Sequence, residues 1–222
     1  MRDSLESEIP HIKFKDVSFS YPGEKENLIF QCNFTIKKPG FWMVVGKNGC
    51  GKSTLLKLIN GIIKPKNGFI ESKANIGMVF QNPDHQILMP NCRSELLINI
   101  NQNMCDYKVN KKIEYVLDQV GMTGFEKRPV HTLSGGQKQR LTIACALISN
   151  RNFILLDEPT ALLDQTSQLK VLQTIKNLTN DHKKPLSALW ITHRYEELIY
   201  ADAVAELKNG FLSSWQEPSK FQ

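Results

Sequence analysis

The apolar run FWMVV at 41–45 stops abruptly at GKNGCGKST, residues 46–54, and KSTLLKLIN then reads as a helix that stops at Gly61. A short buried strand, a glycine loop and a helix, in that order, is what a loop that wraps an anion at a helix N-terminus requires. The loop matches GxxxxGK[ST] with Gly46, Gly51, Lys52 and Ser53 at the fixed positions. Glycines let successive backbone N–H groups turn inward around phosphate oxygens, and the following helix offers its positive end to the same anion. In this reading Lys52 reaches the β and γ phosphates and Ser53 places its hydroxyl on Mg²⁺. A pattern this short arises by chance on the order of once per hundred chains of this length, so the rest of the chain decides whether the loop is a phosphate seat or a flexible turn.

Before the loop, Ile12 and Phe14, then Val17 and Phe19, alternate as in a strand, and LIFQCNFTIK follows the turn signal YPGEKEN, which predicts an antiparallel opening. After the first helix, GFIES and IGMVF give two more strands, and the proline-marked QNPDHQILMP breaks the pattern. In residues 93–120, Ile113, Val116, Leu117 and Val120 fall at i, i+3, i+4 and i+7, the stripe of an amphipathic helix inside a helical insertion. Residues 137–149 and 165–178 read as helices, FILLDE and SALWIT as buried strands, and Asn209-Gly210 as the two-residue turn of a closing hairpin. The core is α/β.

Two further stretches carry chemistry. FILLDEP at 153–159 is an apolar strand ending in two carboxylates, and in an open parallel sheet such a strand end faces the ligand crevice. Asp157 there suits a Mg²⁺ shell, and Glu158 suits a general base for an attacking water. LSGGQKQR at 133–140 is by itself a turn and an N-capped helix. Its position after the glycine loop and before the acidic strand gives it weight.

Together these stretches resemble the nucleotide-binding domain of ATP-binding cassette (ABC) ATPases. GKNGCGKST resembles the family's Walker A loop (Gly46, Lys47, Asn48, Gly49, Cys50, Gly51, Lys52, Ser53, Thr54), LSGGQ its signature (Ser134, Gly135, Gly136, Gln137), and FILLDE its Walker B strand. Gln81 in VFQNPD matches the glutamine loop, Asp164 in ALLD the D-loop, His193 in ITHR the switch histidine, and Tyr21 in FSYPG the aromatic that stacks on adenine. The resemblance implies an α/β fold with a P-loop NTPase core, an antiparallel β subdomain and an inserted α-helical subdomain. It implies one domain over residues 1–222, with the RecA-like core and β subdomain at about 1–80 and 150–222 and the helical subdomain at about 90–149. ATP and Mg²⁺ are the implied cofactors, with Ser53, Gln81 and Asp157 on the metal and Lys52, Gln81, Glu158 and His193 in catalysis. Ser134 and Gly136 would close over ATP held by a second ABC ATPase subunit in a head-to-tail dimer, and a transmembrane transporter subunit would be the other partner.

VFQNPDHQ and ITHRYEEL are most similar to ATPases of the cobalt and energy-coupling-factor group of metal-ion and vitamin importers. The D-loop departs from the family pattern in reading ALLDQ, which bears on communication between the two sites. NCRSELLINI likewise replaces the usual acidic helix start after the glutamine loop, which bears on the docking surface for the membrane subunit. The alternative is a soluble ABC ATPase acting on nucleic acid or the ribosome. Against it, 81 residues lie between Lys52 and Ser134 (134 − 52 − 1), with no heptad run for coiled-coil arms.

Composition narrows the setting. The net charge of +6 comes from scattered pairs such as Lys37–Lys38, Lys111–Lys112 and Lys183–Lys184 without interleaved aromatics, so no nucleic-acid partner is expected. Five cysteines without a CxxC pair fit a reducing compartment, and neither MRDSLESEIP nor any apolar run suits a signal or membrane span. The expected location is cytoplasmic, peripheral on the cytoplasmic face of a membrane. Cys50, in the loop beside a helix N-terminus, is expected to favour thiolate.

Overall fold

The structure is a computed structural model that describes residues 12–24, 26–100, 104–181 and 186–221. The Lys183–Lys184 pair, the stretch MRDSLESEIP and Lys25 of the turn signal lie outside the described residues.

Among the described residues the strands form two sheets. The first is antiparallel and three-stranded: β1 (Ile12–Phe19) lies between β2 (Ile29–Ile36) and β4 (Asn67–Ser72). Its buried face comes from the alternation expected of β1 and from Phe34, which stacks on Phe14 at 4.4 Å between centroids. The alternation changes phase between Phe14 and Val17 because the pairing register shifts there on both edges, around Asp16 at φ 52°. This is a β-bulge, and it returns Val17 to the buried face. The Asn33 side chain holds it, accepting from the Asp16 amide and donating to the Asp16 carboxylate, both at 2.9 Å.

The second sheet has the order β5-β6-β7-β3-β8-β9, with β5 (Ile76–Val79), β6 (Phe153–Asp157), β7 (Ser187–Thr192), β3 (Gly40–Val45) and β8 (Ala203–Lys208) parallel. β9 (Phe211–Leu212) turns back antiparallel to β8, and the intervening Asn209 and Gly210 have φ 51° and 81°, the signs a type I′ turn needs. Every residue of β3 and β7 is buried, as befits parallel strands covered on both faces. Trp42 and Val44 face one core with α1 (Lys52–Ile59) and the antiparallel sheet. Phe41, Met43 and Val45 face the other, shared with α4 (Gly135–Ile148) and α5 (Gln165–Thr179).

Between β5 and β6 the chain runs through α2 (Cys92–Leu97), α3 (Asp106–Gln119) and α4. The stripe read from the sequence is the inner face of α3: Ile113, Val116 and Leu117 are buried, with Val120 at the C-cap. Arg140 of α4 donates to the carbonyls of Val120 and Gly121, both at 2.8 Å, and so closes the C-terminal end of α3. The break at QNPDHQILMP is a short 3₁₀ turn, Pro83–His85, started by the Asn82 side chain accepting from the Asp84 amide. Among the described residues no helix is long and apolar enough to cross a membrane.

Candidate nucleotide site

Four neighbouring parallel strands end at one rim. β3 runs into the glycine loop, β6 into Glu158, β7 into His193, and β5 two residues before Gln81. Ligand crevices of parallel sheets lie at such carboxyl ends. Here an open cavity of about 320 Å³ is lined by Leu28, Asn48, Gly49, Gly51, Lys52, Ser53, Thr54, Gln81, Asp157 and Glu158.

The loop is folded around the Lys52 side chain. Its Nζ donates to the carbonyls of Gly46 (2.8 Å) and Lys47 (3.0 Å) and lies 3.3 Å from Glu158 Oε1, with Lys52 almost fully buried. Gly46 is required by space: a Cβ there would meet the Leu207 carbonyl oxygen at 2.5 Å. Gly51 is required by conformation, since it caps α1 at φ 105°.

Ser53 Oγ donates to Asp157 Oδ1 at 3.0 Å, and the other face of Glu158 is occupied by His193, whose Nδ1 is 2.9 Å from Oε2. One carboxylate thus sits between an ammonium and an imidazole. Burial raises the Asp157 carboxyl above the usual carboxylate range; the Ser53 hydrogen bond opposes this and the neighbouring Glu158 charge adds to it. The Ser53 hydroxyl, the Asp157 carboxylate and the Gln81 amide are hard oxygen donors on one cavity. Among the described residues no cluster of three or more His, Cys, Asp or Glu makes an all-protein cage. This donor set, with its single carboxylate, fits Mg²⁺, which is bound through one or two carboxylates and completes its shell with water and phosphate.

Tyr21 lies over the edge of the same region. Its hydroxyl is 3.2 Å from Thr54 Oγ1, and its ring lines an adjoining cavity of about 300 Å³ with Phe19, Pro22, Lys64 and Lys66. Gln81 sits in a loop bound to α4, because Gln139 Nε2 donates to the Phe80 carbonyl (3.0 Å) and Lys138 pairs with Asp84 (2.7 Å).

The signature residues are elsewhere. Ser134, Gly135, Gly136 and Gln137 form the N-terminus of α4 and are not among the residues lining the cavity. Asp164 caps α5, accepting from the Ser167 amide at 3.0 Å, and the Ser167 hydroxyl first, then that amide, hold its carboxyl below the usual range.

Cys50 corrects an expectation. Its thiol is pushed up, not down: partial burial outweighs the nearby Lys52 charge and the amide hydrogen bonds, so the environment disfavours thiolate. Leu28, at the end of the turn before β2, lines the same cavity; a lone leucine beside a turn carries no signal of a site.

With this geometry in view, the sequence family described as ABC transporter matches residues 29–161. The chain belongs to the ABC transporter ATPase family. An Arabidopsis thaliana protein, ABC transporter I family member 10, is 43% identical over 187 residues, covering 82% of this chain and 68% of the relative. The energy-coupling factor transporter ATP-binding protein EcfA1 of Streptococcus pyogenes is 33% identical over 224 residues, covering 94% and 80%. Among solved structures, cbiO1 from Clostridium perfringens, part of the ABC transporter complex cbiONQ, superposes with a TM-score of 0.87 at 26% identity, covering 94% of this chain and 89% of that one. A dimeric ATP-binding cassette in a post-hydrolysis state with ADP and Pi superposes with a TM-score of 0.77 at 26% identity, covering 93% and 98%. This ABC ATPase therefore has the ATP-binding fold and the recognisable motif set of transporter ATPases.

Proposed function

We propose that this ABC ATPase powers a membrane importer of metal ions or vitamins, as a head-to-tail dimer held on the cytoplasmic face by a transmembrane subunit. The observation that carries the reading is the convergence of Lys52, Ser53, Asp157 and Glu158 on one cavity, with His193 on the second oxygen of Glu158. The cargo class rests on VFQNPDHQ and ITHRYEEL and on the likeness to EcfA1 and cbiO1. Residues of about 90–149 are taken as the helical lobe that faces the membrane subunit, and the remainder as the nucleotide-binding core.

ATP would lay its phosphates against the loop amides and the N-terminus of α1, with the base on the Tyr21 ring. Lys52, held by two loop carbonyls, presents a fixed ammonium to the β and γ phosphates. Ser53, Asp157 and Gln81 would hold Mg²⁺, which neutralises charge on the transferred phosphoryl group. Glu158 accepts a proton from the attacking water, whose oxygen bonds to the γ phosphorus as the bridging oxygen leaves with ADP. His193 orients the Glu158 carboxylate and senses the γ phosphate. Ser134 and Gly136 of the second subunit complete the site; their absence from this chain's own cavity lining supports that arrangement.

Affinity purification from native membranes tests the assembly. The expected result is a co-purifying multi-span membrane subunit whose presence stimulates ATP hydrolysis. Recovery with ribosomes or nucleic acid and without a membrane subunit would replace transport by the soluble alternative.

A further inference from the structure

Behind the site lies a buried carboxylate that the mechanism does not use. Glu197 is 2% exposed, in a 3₁₀ segment (Tyr195–Tyr200) four residues beyond His193. One of its oxygens accepts from Trp190 Nε1 at 3.0 Å, and the other accepts from the hydroxyl of Thr160, itself 1% exposed. Trp190 is in β7, the strand that leads into His193, and Thr160 is two residues beyond Glu158. A single carboxylate thus ties the turn after Glu158 to the strand that leads into His193, and Glu158 and His193 are the two residues proposed to handle the attacking water.

The backbone shows why such a joint matters. Glu158 has φ 44°, in the left-handed region that a glutamate adopts only under constraint. The constraint includes Glu158 N–H donating to Ile191 O and Ala161 N–H donating to Glu158 O, both at 3.1 Å. These bonds hold only if the turn from Glu158 to Ala161 stays seated on β7; Pro159 and Thr160 of that turn are both buried, and Thr160 is the one that offers the core a polar side chain. A buried carboxylate is costly unless its oxygens are hydrogen-bonded, and an apolar side chain would fill the same volume at lower cost. What the carboxylate supplies is a fixed distance between the turn and the strand.

We infer that Glu197 is a positioning residue: through Thr160 and Trp190 it clamps the Glu158 turn onto β7 and so keeps the Glu158 carboxylate between Lys52 and His193. This rests on the reading of Glu158 as the general base. The test compares Glu197→Ala, Glu197→Gln and Thr160→Val in the full chain co-expressed with its dimer partner, beside Glu158→Gln. Glu197→Ala should lower kcat by about tenfold or more while ATP affinity stays within about twofold, because a small misplacement of a catalytic group costs turnover and the phosphate loop is untouched. Amide hydrogen exchange at Glu158 and Ala161 should speed up while Leu155 and Leu156 in β6 keep their protection. Glu197→Gln should restore most of kcat, since its amide oxygen can accept from Trp190 and its NH₂ can donate to Thr160. Should the alanine variant fail to fold, Thr160→Val keeps the volume and should show the same split between kcat and affinity. A kcat within twofold of the parent in the alanine or valine variant, no advantage of glutamine over alanine, or a parallel loss of affinity and turnover with falling melting temperature would each overturn the inference. Full turnover by Glu158→Gln would instead remove the general-base reading, and the exchange pattern would then decide the clamp on its own.

Discussion

Two helices of this protein carry glycines at their N-termini, and their first turns are finished in opposite ways. α1 is capped by Gly51, which has no side chain to accept from the first free amides. α4 is capped by Ser134 in a complete capping box: Ser134 Oγ accepts from the Gln137 amide at 3.3 Å, and Gln137 Oε1 accepts from the Ser134 amide at 3.0 Å. A helix start whose cap residue offers no acceptor leaves amides free for an anion; one closed by a capping box has its first amides met by its own side chains. The first belongs to a seat, formed inside one subunit and lined by Lys52, Ser53, Asp157 and Glu158. The second is exposed at Ser134 and Gly135, and the Ser134 hydroxyl, while accepting from Gln137, still has its own proton to donate. That is the configuration required by the proposal that this helix start acts as a lid on the second subunit's phosphate.

The comparison is most exposed at the seat. Lys52→Ala should lower ATP turnover by about 10²- to 10³-fold, the range for removing one preorganised charge-stabilising donor, measured as phosphate release by the assembled transporter. Turnover within twofold of the parent would show that the loop is not where the phosphates rest. The lid is tested by assembly. In Glu158→Gln the shape of the base remains but the water's proton has no acceptor, so bound ATP should persist and hold two subunits together by mass action. Light scattering on gel filtration, with co-expressed subunits if the dimer is mixed, should show a dimer with ATP and a monomer with ADP. Adding Ser134→Arg should abolish the ATP-dependent dimer and leave ATP binding to the single subunit intact. Loss of nucleotide binding in the single subunit would place Ser134 in its own chain's seat and break the distinction.

A gentler change separates capping from contact. Ser134→Ala removes the box and should destabilise the protein by about 1 kcal/mol, the usual cost of losing a serine N-cap, read from denaturant unfolding. Affinity of the isolated subunit for ATP should not move, because α4 contributes nothing to the cavity lining. A matching loss of affinity would tie the two helix starts together.

The seat was legible in the sequence because its chemistry is local: Gly46 to Thr54 are contiguous, and Asp157, Glu158 and His193 each follow an apolar run whose end marks the rim of a parallel sheet. The α3 stripe and the Asn209-Gly210 turn were legible for the same reason, as periodicity and turn chemistry act over a few residues. What escaped depends on long-range contact. In the Thr160–Glu197–Trp190 joint Glu197 lies seven positions from Trp190 but 37 from Thr160, and no local pattern distinguishes it from the exposed Glu196 beside it. The sign of the Cys50 shift escaped too: a loop beside a helix N-terminus suggests thiolate, but half-burial of the thiol proved the larger effect. The bulge at Asp16 was visible only as a three-residue step in an otherwise alternating strand.

The smallest effect expected concerns the price of the seat itself. Asp157 is an ionised carboxylate in a partly buried place, and burial raises its pKa above the unfolded value. In the pH window between the unfolded and folded pKa values the native state binds the extra proton, so stability falls as pH rises through that window and the full cost remains above it. Asp157→Asn keeps an oxygen for the Ser53 hydroxyl and removes the charge. The nucleotide-free variant should therefore melt higher than the parent at neutral pH, with the gap closing as pH falls through the raised Asp157 pKa, while Mg-ATP stabilises it less than the parent. Scanning calorimetry at neutral and acidic pH, with and without Mg-ATP, reads both differences. A variant that melts lower at neutral pH would mean that Asp157 stabilises the empty seat, and the contrast between a seat strained for its ligand and a lid at rest would fail on the side of the seat.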